Sequence, residues 1–480
     1  MTRLTLDHHG ALPAPIPDPR AVSVGQVHLG LGAFHRAHQA VYTADAMAAS
    51  GENHWGIAAF TQRSGHAAHR LAPQDGLYAV VEKGPGASPA RLIGSVREAL
   101  DGSGDADVVA RLCDPAVRVV TLTVTEKGYR HDPVTRQLAL DSAEVAADLA
   151  GRTPRTVPAI LAHALARRTE LGEAPLTVVS CDNLPENGRL LHRLVAQYAE
   201  ASGLTLDDAH RFPSTVVDRI VPATTDADIA ELERAHGVRD DAPVLCEPFR
   251  QWVIEDDFAG PVPAWSAVGA ILVDDATPWE LLKLRVLNAS HSILAYVGLR
   301  AGHRRISDAV ADPTLERICR RFIADDVAPV VDAPGGVTVA EYGEQVLQRF
   351  ANQALPHTTL QVAADGSQKI GPRLLDTVRD AAARGRSARW AVLGVAAWAL
   401  HVVDPIDADG RSTALDDPRA DDLSTCVAGL GVPEALGRLL ADTRFVGDLA
   451  DNTDFVDTAV AYATALHRGG VAALASEASL

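Results

Sequence analysis

The chain has 480 residues, 47% of them apolar and 22% charged, enough to bury large cores and to suggest two or three domains. Its 62 acidic residues outnumber the 44 basic ones, and no block of Lys and Arg offsets the formal charge of −18. That balance argues against nucleic acid or an anionic membrane as partner and points to a small molecule. The proline-rich start, MTRLTLDHHGALPAPIPDPR, lacks the apolar core of a signal peptide, and no run of about 18 apolar residues follows, so a cytoplasmic protein is expected. Val22 to Leu29 then reads as a strand running into Gly30-Leu-Gly32-Ala-Phe34-His35-Arg36-Ala-His38, with a helical pattern continuing to Ala49. Strand, glycine turn and helix together can hold a pyrophosphate, because the glycines allow close approach and the helix start offers free N–H groups. His35 stands where a dinucleotide fingerprint has its third glycine. Trp55 to Phe60 reads as a second strand, but Thr61-Gln62-Arg63-Ser64 follows instead of the acid that usually takes an adenosine ribose. That missing acid weakens the local case for NAD and lets Arg63 meet the 2′-phosphate of NADP.

Val117 to Val124 and Leu176 to Ser180 read as buried parallel strands, each ending in a polar cluster: Thr125-Glu126-Lys127-Gly128-Tyr129 and Cys181-Asp182-Asn183. Ligands of doubly wound sheets sit at such carboxyl ends, which makes Lys127 and Asn183 candidates, although both clusters also suit ordinary turns. In FPSTVVDRIVP (212–222), Asp218 and Arg219 interrupt an apolar run and must be paired or hydrogen-bonded. The boundary between an α/β first domain (1–276) and a mostly helical second domain (277–480) is expected just before Pro278.

Thr277 to Gly302 is the most informative stretch. Thr277 reads as a helix cap, Pro278 as the first helical residue and Glu280 as a capping-box partner. Leucines cover every side of the helix, yet Lys283, Asn288 and His291 fall within roughly 140° of one another at about 100° per residue, with Glu280 in the same arc. Two readings fit: a capping box with satisfied core residues, or a lysine stripped of water by leucines and so able to take a proton, with Asn and His holding an oxygen nearby. Further helices are expected at 314–323, 339–350, 372–384, 387–403 and 455–466. Between them DGSQK (365–369) reads either as a turn into a helix or as a loop bringing Lys369 and Arg373 over the polar arc. The five cysteines are odd in number, far apart and without a CxxC pair, which fits neither a disulfide framework nor a zinc knuckle. His35 and His38 lack a carboxylate or thiolate partner and make poor zinc ligands. A methyltransferase with the same glycine turn and a non-catalytic nucleotide sensor are the alternatives from other classes.

VHLGLGAFHRAHQA, TVTEKGY, SCDN, FPSTVVDRIVP, EPFRQWVIEDDF and KLRVLNASH, in that order, resemble the mannitol dehydrogenase family of polyol-specific long-chain dehydrogenases over nearly the whole chain. The resemblance implies a Rossmann-type N-terminal domain, a helical C-terminal domain, and NAD(P)-linked, metal-independent redox chemistry at a secondary alcohol. It assigns Lys283 as general base, Asn183 and Asn288 as amides polarising the reacting oxygen, and Glu280 as the proton relay. His291, Asp218, Lys369 and Arg373 would bind substrate; Gly30, Gly32 and Phe34 would form the cofactor turn, beside Arg63 and Lys127. EKGYR, EPFRQWVIEDDF and DGSQKIGPRLLD are closer to fructuronate reductases, and Gln361 stands where mannitol 2-dehydrogenases are expected to carry arginine. D-mannonate/D-fructuronate therefore ranks ahead of D-mannitol/D-fructose or another hexitol or pentitol. For a substrate carboxylate, Lys369, Arg373 and Arg250 are the candidate partners. A monomer is compatible with the sequence.

Overall fold

The apolar runs of the N-terminal half become strands whose pairing sets the whole architecture of that half. In the computed structural model, which describes residues 2–477 apart from 15–17, 85, 87–88, 105, 133–134 and 356, the chain divides into two units, 1–277 and 278–480. Among the described residues the first unit holds eleven strands: β1 (Val24–Leu29), β2 (Gly56–Phe60), β3 (Tyr78–Glu82), β4 (Ala90–Ile93), β5 (Val96–Leu100), β6 (Val119–Leu122), β7 (Thr177–Ser180), β8 (Thr215–Asp218), β9 (Val244–Cys246), β10 (Gln251–Glu255) and β11 (Ile271–Val273). Five of them form one parallel sheet in the order β5-β2-β1-β6-β7. The strand order reverses between β1 and β6, and that switch point is where doubly wound sheets bind ligands. Near-continuous burial of β1, β2, β6 and β7 explains why they read as unbroken apolar runs rather than alternating ones. Two three-stranded sheets, β11-β10-β8 and β4-β3-β9, complete the unit.

The helix after the glycine turn forms in two pieces, Ala33–Ala37 and Gln39–Ser50. It breaks at His38, whose ring packs against Phe34, Tyr42 and Trp252 and bonds through Nε2 to Gln251 O at 2.8 Å. His35, in place of the third glycine, lies flat on His28 of β1 with ring centroids 3.3 Å apart. A planar ring pair thus provides the close helix–strand approach that glycine normally allows.

In the second unit, Arg389–Val403 is buried along almost its whole length and packs against Ala289–Arg300 and Thr453–Glu477. Trp390, Trp398, Tyr296 and Phe322 are among the largest fully buried side chains of that core. Among the described residues three helical segments contain a π turn that helical periodicity does not announce: Lys283–Asn288, Phe322–Val327 and Gly371–Leu375. At the start of the informative helix the expected capping by Thr277 is replaced. Thr277 is already helical (Thr277–Leu282), and its N–H goes to Asp275 Oδ1 at 3.0 Å, so a carboxylate two residues earlier satisfies the helix start. Among the described residues no helix is long and apolar enough to cross a membrane.

Candidate active site

At the switch point a cavity of about 310 Å³ opens beside Gly30, Gly32, Gln62, Arg63, Thr123 and Thr125. Gly30 has φ +107°, and a Cβ there would stand 2.1 Å from Thr123 O, so no other residue fits the turn. The turn is tied on both sides. Gly30 N and Leu31 N donate to Phe60 O of β2 at 2.8 and 2.9 Å, and Gly30 O accepts from Thr123 Oγ1 at 2.9 Å. His28, in contact with Gly30 O, Thr121 and Thr123, is held neutral by burial, its pKa pushed down to about 3. This cradle fits a dinucleotide: backbone can approach a pyrophosphate at Gly30 and Gly32, and the cavity extends to the end of β2, where a ribose belongs. No carboxylate lines that end. Asp101, just past β5, lies behind Thr61, whose hydroxyl donates to it at 3.2 Å. Arg63 is exposed there, Nη2 3.4 Å from Thr125 Oγ1. Phe34 and Lys127, expected in the coenzyme site, are not in the cavity wall. Phe34 lies against His38 at 5.0 Å, and Lys127 is an exposed residue of the 3-10 turn Glu126–Tyr129.

Asn183 follows β7 and is exposed, and Asp218 is the buried last residue of β8, opposite Gln251. Arg219 donates to Glu82 Oε1 (2.8 Å), Ala37 O (2.6 Å) and Glu247 O (3.0 Å), so the charge in the apolar run is balanced by Glu82 on β3. Arg250, named as a partner for a substrate carboxylate, is spent elsewhere: it pairs with Asp45 at 2.6 Å and covers the Tyr42 ring at 4.3 Å.

In the second unit the π turn sets the polar arc. An α-helix would leave Lys283 and Asn288 about 140° apart, whereas residues five apart lie roughly one above the other in a π turn. Lys283 and Glu280 are partly buried and Asn288 is buried. His291 stacks on Phe350 (4.7 Å) and meets His357 edge-on (4.7 Å). Its Nε2 is buried without a hydrogen-bond partner among the described residues. Burial first, then His357 and Arg373, hold the ring well below its ordinary pKa. Arg373 Nη1 donates to Asn288 O (3.2 Å) and Ser292 Oγ (3.0 Å), which joins the DGSQK segment to the same arc. Lys369 Nζ donates to Ala364 O at 2.5 Å and lies 3.5 Å from Asp365, so among the described residues two of its three donors are engaged. Burial lowers the pKa of both: that of Lys369 falls, with Arg373 adding to it, and that of Arg373 falls to about 10. His357 escaped the sequence reading because no local pattern links it to His291; Thr123 and Thr125 were findable from their place just beyond β6.

Among the described residues no group of three or more His, Cys, Asp or Glu stands where it could hold a metal ion. The fold and cavity define the class, a Rossmann-type dinucleotide-binding protein. Residues 24–267 match the family model for the mannitol dehydrogenase Rossmann domain, and residues 275–467 that for the mannitol dehydrogenase C-terminal domain. The Escherichia coli K12 protein named uncharacterized oxidoreductase YeiQ is 40% identical, with 94% of each chain covered. The D-mannonate oxidoreductase of the same organism is 38% identical, with 91% of each covered. The ternary complex of Pseudomonas fluorescens mannitol 2-dehydrogenase with NAD and D-mannitol superposes with a TM-score of 0.86 at 33% identity, covering 100% of this chain and 99% of that one. The chain belongs to the mannitol dehydrogenase family and is an enzyme of the dehydrogenase class.

Proposed function

We propose that this enzyme interconverts a secondary alcohol and a ketone at C2 of an open-chain six-carbon sugar acid, D-mannonate and D-fructuronate, with NAD and without a metal. The observation that carries the reading is the set of basic groups gathered around His291: His357 at 4.7 Å, and Arg373 and Lys369 on the segment bonded to Asn288 and Ser292. A carboxylate removed from water needs such donors. Gln361, meanwhile, is folded into the capping box of Thr359–Ala363, where its side chain accepts from Thr358 N and Oγ1. The likeness to the D-mannonate oxidoreductase supports the same substrate.

In this reading Lys283 takes the C2 hydroxyl proton during oxidation and Glu280 passes it towards solvent. Asn183 and Asn288 donate to the oxygen as negative charge grows on it, and His291, Asp218, Lys369 and Arg373 hold the rest of the substrate. NAD, held at Gly30, Gly32 and Arg63 of the cavity wall, would supply the hydride acceptor. The stacking of Lys283 and Asn288 along one π turn supports the pairing of base and amide. D-mannitol and D-fructose form the second reading, favoured by the likeness to the mannitol 2-dehydrogenase complex.

NADH oxidation with D-fructuronate and with D-fructose, measured side by side, separates the two. The uronate should win by roughly 10- to 150-fold, the value of a charged hydrogen bond, and Lys369→Met should lose activity on the uronate alone. Equal loss on both substrates would put Lys369 on a shared hydroxyl instead.

A further inference from the structure

Directly before Asn183, Asp182 is buried, with 8% of its surface exposed. Its carboxylate is held by neutral donors: Oδ2 accepts from Val124 N at 3.0 Å and from the Tyr129 hydroxyl at 3.0 Å, and Oδ1 accepts from Thr125 N at 2.8 Å. Tyr129 also shares a hydrogen bond with Ser180 Oγ at the end of β7. Thr125 has φ +63° and ψ 164°, a region that almost only glycine enters and that is costlier still for a β-branched residue. Such a conformation persists only where its surroundings impose it, and here the Asp182 carboxylate takes the N–H of Thr125 and of the residue before it. Thr125 lines the coenzyme cavity. The Asp182 backbone is fixed in turn, since its carbonyl accepts from Asn187 Nδ2 at 2.8 Å, and the same amide clasps Thr215 N and O at 2.9 Å each.

We propose that Asp182 is a positioning residue for the dehydrogenation: its side chain holds Thr125 in a strained backbone, and its main chain carries Asn183, so that the coenzyme wall beyond β6 and the oxygen donor beyond β7 keep one fixed register. Burial raises the Asp182 pKa and the bonds from Val124 N, Thr125 N and the Tyr129 hydroxyl oppose the rise, so the ionised carboxylate is favoured there by hydrogen bonds rather than by a charge partner. This inference rests on the proposed roles of the β1–β6 cavity and of Asn183, and Asn183→Ala tests those roles separately.

The experiment titrates NADH onto the full-length protein by fluorescence and measures kcat with D-fructuronate or D-fructose, whichever the wild type reduces. Asp182→Asn keeps one amide oxygen for one of the two backbone N–H groups but turns its NH2 towards the other, and it should weaken NADH binding and lower kcat by roughly tenfold or more. Adding Thr125→Gly, which removes the penalty of a positive φ, should restore most of the NADH affinity, a rescue that mere loss of stability would not show. Tyr129→Phe should give a smaller loss of the same kind, and it decides the matter where Asp182→Asn does not fold. NADH affinity and kcat within about twofold of wild type in the Asp182 or Tyr129 variants, or no rescue by Thr125→Gly, would overturn the proposal. If Asn183→Ala leaves kcat unchanged while Asp182→Asn loses NADH affinity, the role of Asn183 falls and the clamp on the coenzyme wall stands.

Discussion

Lys283 is the residue on which the proposed chemistry depends most, and the π turn is what sets its surroundings. Its neighbours Leu282 and Leu287 are buried and Asn288 stands one turn along, so base and amide share a face that regular helical spacing would divide. A positioned general base contributes about 10²- to 10⁴-fold, so Lys283→Ala should lose that much in kcat while NADH affinity, measured by titration, stays close to wild type. Near-normal turnover would remove Lys283 from the role. Arg63 sets the second test at this scale. The ribose end of the cavity has Arg63 and no carboxylate in its wall, so NADH should be preferred only moderately over NADPH, and Arg63→Ala should cost efficiency with NADPH more than with NADH. A variant in which both coenzymes fall equally would place Arg63 on the shared pyrophosphate or outside the site.

In the proposed reading the element that bears most on substrate is Gly366–Ile370, the short helix carrying Lys369. It starts after Asp365 in the left-handed region (φ +56°), and a Cβ on Gly366 would stand 2.5 Å from Trp398 Nε1 and 2.6 Å from the Tyr296 hydroxyl. Neither neighbour can yield, because both rings are fully buried and the Tyr296 hydroxyl donates to Ala363 O at 3.0 Å. Gly366→Ala should therefore cost about 1–3 kcal/mol by overpacking and push the Lys369 segment away from Ala289–Arg300. Thermal melting should show the destabilisation, and steady-state kinetics should show a higher KM for the sugar substrate with the KM for NADH unchanged. An unaltered sugar KM would detach this helix from substrate binding.

For the molecule as a whole, stability against pH separates one buried carboxyl from the rest. Asp326 is 2% exposed and accepts from Ala391 N at 2.8 Å at the start of the buried helix Arg389–Val403; burial raises its pKa to about 7 against that hydrogen bond. The unfolded chain would titrate this group near 3.9, so the folded form binds the proton more tightly. Its contribution is therefore complete below about pH 4 and lost as pH rises through about 7, by up to roughly 4 kcal/mol. Asp326→Asn, neutral throughout, should melt above wild type at pH 8, with the margin closing towards pH 4. A constant margin across that range would mean that Asp326 is ionised in the folded protein. The burial that makes this group sensitive is invisible in FIADDV (322–327), where Asp325 and Asp326 look alike; in the fold Asp325 is partly exposed and pairs with Arg321 at 2.9 Å, whereas Asp326 is buried against Ala391 N.

The amino-acid sequence by itself determined the strand, glycine turn and helix around Gly30, the apolar runs that became β2, β6 and β7, and the long helices of the second unit. These depend on local forces: backbone freedom at glycine, the period of apolar residues, and strand-length runs that must be buried on both faces. The ordered motifs also named the family, since side chains needed for one reaction recur in one order. Only the tertiary structure decided where long side chains found their partners. Arg219 went to Glu82 and Arg250 to Asp45, His35 came to lie on His28, and His357 met His291 across more than sixty residues of chain. It also decided the π turns, because inserting one residue into a helix costs regular hydrogen bonding that packing against the neighbouring helices has to offset, and that packing is not written in the helix's own sequence.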